Sequence, residues 1–167
     1  MTTRKFSNQL SGQIGEALVV AELGRMGVVA TAFAGNVPDI DILAYKNGKS
    51  TAVQVKAWKT GSVSFDARRF LNIEFNGHKQ IVTGIHEHVQ RLPIYVFVKL
   101  GEDKSKDEFY ILDQLLLARL IREGYEAFLD LHNGVRPRNP QTTHNSVTLE
   151  QLLPFKDNWN ALLKELA

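Results

Sequence analysis

The order of hydrophobic and polar residues predicts a helix at the start of the chain, followed by a strand. From Ser11 to Met26, apolar side chains spaced at about 100° per residue cover most of the helix circumference, so this helix is expected to be mostly buried. Ser7 or Ser11 is expected to cap its first turn, and Gly27 to end it. Residues 28–34, VVATAFA, predict the first strand.

Two more strands are predicted over residues 39–45 and 50–58, which read DIDILAY and STAVQVKAW. Between them lies Asn47-Gly48, and both of these residues tolerate the positive φ angles of a type I′ turn. The two strands are therefore expected to form a hairpin.

The hairpin register places four polar side chains at the end away from the turn. Counting outward pairs Asp41 with Gln54, and Asp39 with Lys56. Residues opposite one another share a face and lie about 4.5–5.5 Å apart at Cβ. These four side chains are therefore expected to form one polar cluster, unless a bulge shifts the register. The other face would carry an apolar set: Ile40, Ile42, Val53 and Val55.

The middle of the chain predicts further strands. Residues 69–75 alternate as a strand does, and the region 77–91 fits either a strand or a helical turn. Residues 92–100, LPIYVFVKL, have the β-branched and aromatic composition of a buried strand. Residues 108–112, EFYIL, predict one more strand after a polar loop.

The last part of the chain, from about residue 113 to 167, is expected to be mainly helical. Asp113 can cap a helix that runs to about Leu129. Thr148 and Gln151 form a capping box for a short helix, and a final amphipathic helix is expected from about Asp157. The Pro- and Asn-rich segment between, residues 132–147, is expected to be a loop that is long enough to have a function.

The composition is that of one folded domain. Of the 167 residues, 44% are hydrophobic and 23% are charged, and no apolar run approaches the roughly 18 residues that span a bilayer. No secretory signal is recognised, and the absence of cysteine excludes disulfides and thiolate metal sites. A cytoplasmic location is therefore expected. The net charge of +2 neither requires nor excludes a nucleic-acid partner.

The predicted polar cluster has a chemical use. Mg²⁺ prefers oxygen ligands and keeps several water molecules, and a lysine beside it can orient an attacking water. Ordinary cross-strand ion pairs at the surface would give the same pattern. Glu16 favours the chemical interpretation, because an acid on a mostly apolar helix is unfavourable unless something pairs with it.

These residues resemble the motifs of the PD-(D/E)XK nuclease superfamily. The pattern is an acid in a first helix, Pro-Asp at a strand start, and (Asp/Glu)-X-Lys on the adjoining strand. The corresponding segments are GEALVVAELGRMG with Glu16, PDID with Asp39 and Asp41, and QVK with Gln54 and Lys56. The arrangement is most similar to archaeal Holliday-junction resolvases and Mrr-type restriction nucleases, and it covers residues 11–59.

The resemblance implies a role for each of these residues. Asp41 would be the central metal ligand, supported by Asp39, with Glu16 as the helix acid. Lys56 would be the catalytic lysine, and the backbone carbonyl of Val55 would also bind metal. Gln54 would complete the catalytic and metal-binding set.

The resemblance also implies a fold and a function. The fold would be α/β, one domain over residues 1–167 with a restriction-endonuclease-like mixed central sheet flanked by helices. The function would be that of an endonuclease that hydrolyses DNA with Mg²⁺, which Mn²⁺ can replace, and that forms a homodimer.

Gln54 is a departure from the superfamily pattern, because it stands where a carboxylate is usual. An amide oxygen can still bind Mg²⁺, and the Mrr-like group uses the same glutamine. The alternative is a catalytically inactive nuclease-fold protein that serves as a DNA-binding or structural module. A small α/β protein that acts on no nucleic acid is a third hypothesis.

Other polar residues are candidates for DNA contacts, with solvated surface charge as the alternative. Trp58 could stack on a base but is more typical of a core aromatic, and His86 with His88 has no third partner for zinc. The candidates for phosphate contacts are Arg68, Arg69, His78, Lys79, Arg136, Arg138 and His144.

Overall fold

The structure is a computed structural model that describes residues 2–33 and 37–167. The described residues form a five-stranded sheet in the order β1-β2-β3-β7-β8, in which β3 and β7 are parallel and the other neighbours are antiparallel. The mixed central sheet flanked by helices is thereby confirmed. The helices are α1 (Thr2–Arg25), α2 (Gln114–Leu131), α3 (Leu149–Leu152) and α4 (Asn160–Leu163). The strands are β1 (Val29–Ala32), β2 (Ile42–Lys46), β3 (Lys49–Trp58), β4 (Val63–Asp66), β5 (Leu71–Asn76), β6 (Lys79–Ile85), β7 (Ile94–Lys99), β8 (Glu108–Asp113) and β9 (His144–Val147).

The first helix is longer than the hydrophobic pattern predicts. It begins at Thr2, so Ser7 and Ser11 lie inside it and neither caps it. Instead, the Ser11 hydroxyl donates to the Ser7 carbonyl at 2.9 Å, which a serine inside a helix can do. The strand predicted over 28–34 ends at Ala32, and its last position, 34, lies outside the described residues.

The hairpin of β2 and β3 forms as predicted. Asn47 and Gly48 have φ angles of 54° and 80°, the positive values that a type I′ turn requires. Lys46 faces Lys49 across the turn, which is the register obtained by counting outward from it.

Two predictions for the later part of the chain were wrong. The segment 132–147 is not all loop, because its end forms β9, which pairs with β4 in a second sheet. The last helix begins at Asn160 rather than Asp157, because Asp157 has a φ of 52°, which is incompatible with an α-helix. By contrast, the cap of α2 at Asp113 and the capping box of α3 are confirmed.

The central sheet is buried on both faces, and β3 contributes to both cores. Val53 and Val55 point towards α1 and α4, whereas Trp58 points towards α2. At one end of the hairpin, β3 extends past the first residue of β2, Ile42. No helix of the described residues is long and apolar enough to cross a membrane.

Gly15 allows α1 to lie directly on β3. A Cβ atom at this position would be 2.5 Å from the Ala57 Cβ and 3.4 Å from a methyl carbon of Val55. The first distance is too short for two carbon atoms in a packed core. The absence of a side chain at Gly15 therefore sets the distance between helix and sheet, and with it the position of the next residue, Glu16.

We expect Gly15→Ala to lower the free energy of unfolding by about 1–2 kcal/mol, because overpacking outweighs the better helix propensity of alanine. Gly12→Ala is the matched control, since a Cβ atom added at that position of the same helix would have no neighbouring atom within 4 Å. It should stabilise the protein by up to about 1 kcal/mol. Urea unfolding of the two variants tests this prediction, and equal effects would contradict it.

Candidate active site

Asp41 lies just before β2, at the point where β3 extends alone. Its Oδ2 accepts hydrogen bonds from the backbone N–H of Val55 at 2.7 Å and from Nε2 of Gln54 at 2.5 Å. The Val55 N–H lies beyond the last ladder pair of β2 and β3, Ile42 and Val53. The carboxylate therefore takes the place of a missing strand partner, and its position is fixed by β3.

The predicted pairs Asp41–Gln54 and Asp39–Lys56 are not part of the strand ladder. The Asp41 N–H donates at 2.9 Å to the carbonyl of Val53, the residue that already faces Ile42, so the one-to-one register ends there. Asp39 lies in a turn with a φ of 63°. The polar side chains at this end are held by side-chain contacts and not by strand pairing.

Glu16 and Asp41 line one pocket of about 350 Å³, together with Gln13, Phe33 and Pro38. Burial raises the pKa of the Glu16 carboxyl, and the negative charge of Asp41 raises this pKa further. The helix acid and the strand acid are thus close enough to repel each other. Sequence reasoning missed Gln13, although its position about one turn before Glu16 on α1 places it on the same face of the helix.

Lys56 is half-buried on the other side of Asp41. Its Nζ lies 6.0 Å from the centroid of the Phe65 ring. Burial lowers the pKa of the Lys56 ammonium. The charges of Asp41 and Asp39 oppose this shift, and that of Arg69 adds to it. Asp41 is therefore the carboxylate that acts on both Glu16 and Lys56.

Asp39 forms an ion pair with Arg69, through Oδ1 and Nη2. About half of each side chain is exposed. No local pattern in the sequence indicates this contact, because the two residues are thirty positions apart and belong to different structural elements.

The donor atoms of this site suit a hard cation. Among the described residues no group of three or more Asp, Glu, His or Cys side chains could hold a metal ion. A Mg²⁺ site does not need such a group, since one or two carboxylates together with water molecules are enough to bind the ion. A dication would relieve the repulsion between Glu16 and Asp41. The Val55 carbonyl points to the same side of β3 as the Val55 N–H, which bonds to Asp41, so this carbonyl is a further oxygen on the side of the site. The residues fit the ion that the sequence predicted.

The structure gives the other candidate residues different surroundings. Gln54 is buried, and its amide nitrogen donates to Asp41. The Arg136 guanidinium lies over Tyr125 and Phe128, 5.0 and 4.7 Å from their ring centroids, and Arg138 is exposed.

Trp58 and the His86–His88 pair have structural partners. Trp58 is 8% exposed in the core, and its Nε1 donates to the Gly61 carbonyl at 3.3 Å, so it is a core aromatic. His86 stacks on His88, and its Nε2 lies 2.8 Å from the Arg68 carbonyl oxygen.

We expect Glu16→Gln to stabilise the protein in the absence of metal, raising the Tm at neutral pH by about 2 °C. The pKa of Glu16 is raised on folding above its ordinary value of 4.5, so its charged form is less favourable in the folded state. As the pH falls between these two pKa values, the unmodified protein takes up a proton on folding and the difference shrinks. The difference in Tm between the two proteins should vanish when the pH is below the ordinary pKa of the Glu16 carboxyl.

Thermal unfolding from pH 8 to pH 4 in chelator tests this prediction. The matched control is Glu22→Gln, because Glu22 lies on the same helix and pairs with Arg25 at 3.6 Å. A lower Tm for Glu16→Gln at neutral pH, or the same pH dependence for both variants, would contradict it.

The fold is similar to a solved structure, that of the bacterial homing endonuclease I-Ssp6803I. The two have a TM-score of 0.50 and 15% sequence identity, and the match covers 95% of each chain. Comparison with protein-family models and with curated protein sequences finds no match. At this identity the similarity concerns the fold.

Proposed function

We propose that this protein is a Mg²⁺-dependent DNA endonuclease of the PD-(D/E)XK type. The observation that carries the proposal is the meeting of three elements at one site. Glu16 from α1 and Asp41 from the residue before β2 line one pocket, and the charge of Asp41 also acts on Lys56 of β3. The similarity in fold to a homing endonuclease supports the same function.

The reaction is hydrolysis of a phosphodiester, in which a water oxygen forms a bond to phosphorus and the bond to one ester oxygen breaks. A Mg²⁺ ion, or Mn²⁺ in its place, would polarise the phosphate and make the water more acidic. Asp41 and Glu16 would hold the ion, with the Val55 carbonyl as a further ligand. Gln54 and the Val55 N–H keep the Asp41 carboxylate in place.

Lys56 would donate a hydrogen bond to the attacking water or to the phosphate. The charges of Asp41, Asp39 and Arg69 act on it, and burial lowers its pKa, so it becomes neutral more readily than an exposed lysine. The neutral amine would accept the proton that the attacking water loses. Its charge would also stabilise the negative charge that develops on the phosphate oxygens.

The second candidate function is a DNA-binding module without turnover. It is favoured by Gln54, which has no charge and directs its amide nitrogen, rather than its oxygen, at Asp41. Such a site would bind metal more weakly than one with a carboxylate at this position. The two functions differ in their need for metal, since binding alone would continue in chelator.

A panel of DNA substrates tests the proposal. Supercoiled plasmid, linear duplex, single-stranded and four-way-junction DNA are incubated with the protein in Mg²⁺, Mn²⁺ or EDTA. We expect cleavage of at least one substrate in both metals and none in EDTA. Binding without cleavage would support the second function, and neither binding nor cleavage would contradict both.

We also propose a homodimer, which the resemblance implies. Strand β1 is at an edge of the sheet, and apolar side chains beside it are exposed, with Val29 at 65% and Tyr45 at 49%. An exposed apolar sheet edge is suited to association with a second copy. Sedimentation equilibrium measures the mass directly, and a monomer at all concentrations would contradict this part of the proposal.

A further inference from the structure

Arg69 is the last residue of a short 3-10 turn, Ala67–Arg69, whose backbone is fixed on both sides. Ala67 and Phe70 are buried at 0% and 2% exposure. The Ala67 N–H donates to the Thr143 carbonyl at 2.8 Å, and the Phe70 carbonyl accepts from the His86 N–H at 2.9 Å. The start of the Arg69 side chain is therefore held in a defined place.

The two adjacent arginines of this turn have different partners. Arg68 bonds to Asp66, the residue that caps the turn, with Nε and Nη2 at 3.4 and 3.2 Å from its carboxylate. Arg69 instead reaches Asp39, which lies two residues before Asp41. Only Arg69 of this pair is directed at the candidate active site.

The ion pair of Arg69 with Asp39 has a weak structural role, because both side chains are about half exposed and exposed pairs stabilise a fold little. The contact occupies one side of the guanidinium, through Nη2. A guanidinium has five donors in a planar fork that matches two phosphate oxygens, so donors remain for an anion.

The charges around the site explain why a second cation is useful. Three carboxylates, those of Glu16, Asp39 and Asp41, would repel an approaching phosphate. The cations beside Asp39 and Asp41 are Lys56 and Arg69, and Arg69 forms the ion pair with Asp39. Arginine stays protonated at any working pH, so its charge does not depend on proton transfer.

We propose that Arg69 contacts the scissile phosphate and that Asp39 positions it, so that Arg69 is a catalytic residue and not one of several flanking phosphate contacts. This inference rests on the proposed nuclease function. The free donors of Arg69 bond to the non-bridging phosphate oxygens, where negative charge develops in the transition state. Asp39 keeps the guanidinium over the site before DNA binds.

Single-turnover cleavage with enzyme in excess, together with DNA affinity in Ca²⁺, tests the inference. The substrate is whichever DNA the unmodified protein cuts. We expect Arg69→Ala to lower the cleavage rate constant by about 10²–10³-fold while the Kd changes by less than about threefold. Arg68→Ala, the neighbouring arginine, should weaken binding a few-fold and lower the rate constant far less than Arg69→Ala does. Arg69→Lys should have an intermediate rate.

Two further measurements separate a catalytic role from a structural one. Guanidinium added at a concentration that does not unfold the protein should increase the rate of Arg69→Ala but not that of unmodified protein. Asp39→Asn should lower the cleavage rate constant about tenfold. In the Asp39→Asn background, Arg69→Ala should cause a smaller further loss than it causes in the unmodified protein. The two effects are not additive because Asp39 acts on the reaction through Arg69.

Equal rate losses in Arg68→Ala and Arg69→Ala would overturn the inference and leave the proposed function standing. A weaker Kd for Arg69→Ala with an unchanged cleavage rate constant would also overturn the inference and leave the proposed function standing. If the unmodified protein cuts no DNA in any metal, the proposed function fails and the inference fails with it.

Discussion

Asp41→Asn is expected to lower the rate of metal-dependent DNA cleavage by at least about 10³-fold, which corresponds to about 4 kcal/mol of transition-state stabilisation. Asparagine has the same shape, and its oxygen can still accept the hydrogen bond from the Val55 N–H. The fold should therefore be retained, and the change removes only the negative charge between Glu16 and Lys56. A charge in this position is needed to hold a dication.

Metal binding to the same variant gives a second measurement that does not depend on cleavage. Mg²⁺ or Mn²⁺ should raise the Tm of the unmodified protein, because a ligand that binds only the folded state stabilises it. It should not raise that of Asp41→Asn. Asp130→Asn, which removes an exposed carboxylate near the end of α2, is the control and should behave as the unmodified protein in both assays. Cleavage by Asp41→Asn at the normal rate would exclude Asp41 from the chemistry.

Lys56→Met is expected to lower cleavage by about 10²–10³-fold while metal binding is kept. Methionine keeps the apolar stem that packs near Phe65 but has no proton to donate and no charge. The folded protein should also lose a half-buried charge, so the Tm should not fall. This combination of lost cleavage and retained metal stabilisation distinguishes Lys56 from Asp41.

Lys59→Met is the matched control for Lys56, since Lys59 is exposed and lies just after the end of β3. It should cleave DNA at nearly the normal rate. Loss of the metal-induced rise in Tm in Lys56→Met would contradict the assignment of Lys56 to the water and the phosphate, because it would place the lysine in support of the metal.

The hairpin and its polar end were predictable because the signals are local. Asn47-Gly48 defines the turn, and the alternation of β3 places Val53 and Val55 in one core and Lys56 on the other face. The prediction failed at Asp39 and Asp41, where the ladder ends. The positive φ of Asp39 belongs to a turn before β2, and Pro38-Asp39 is a turn signal that the prediction of a strand from Asp39 did not take into account.

Contacts between distant parts of the chain could not be predicted. Strands β4 and β9 pair although Ser64 and Ser146 are far apart in sequence, and the short polar segment of β9 resembles a loop when read alone. The contact of Arg69 with Asp39 depends on that packing, because the turn that carries Arg69 is bonded to Thr143 just before β9. The sequence pattern predicts which residues are neighbours within one element, but not which residues tertiary packing brings together.

The most direct test of the central claim is cleavage in Mg²⁺ of the four DNA forms of the substrate panel, including the conversion of supercoiled plasmid to nicked and linear DNA. The unmodified protein and Asp41→Asn are purified in parallel and assayed with and without excess EDTA. We expect cleavage only by the unmodified protein and only without chelator. Cleavage that persists in EDTA, or that is equal for both proteins, would contradict a metal-dependent active site at Asp41.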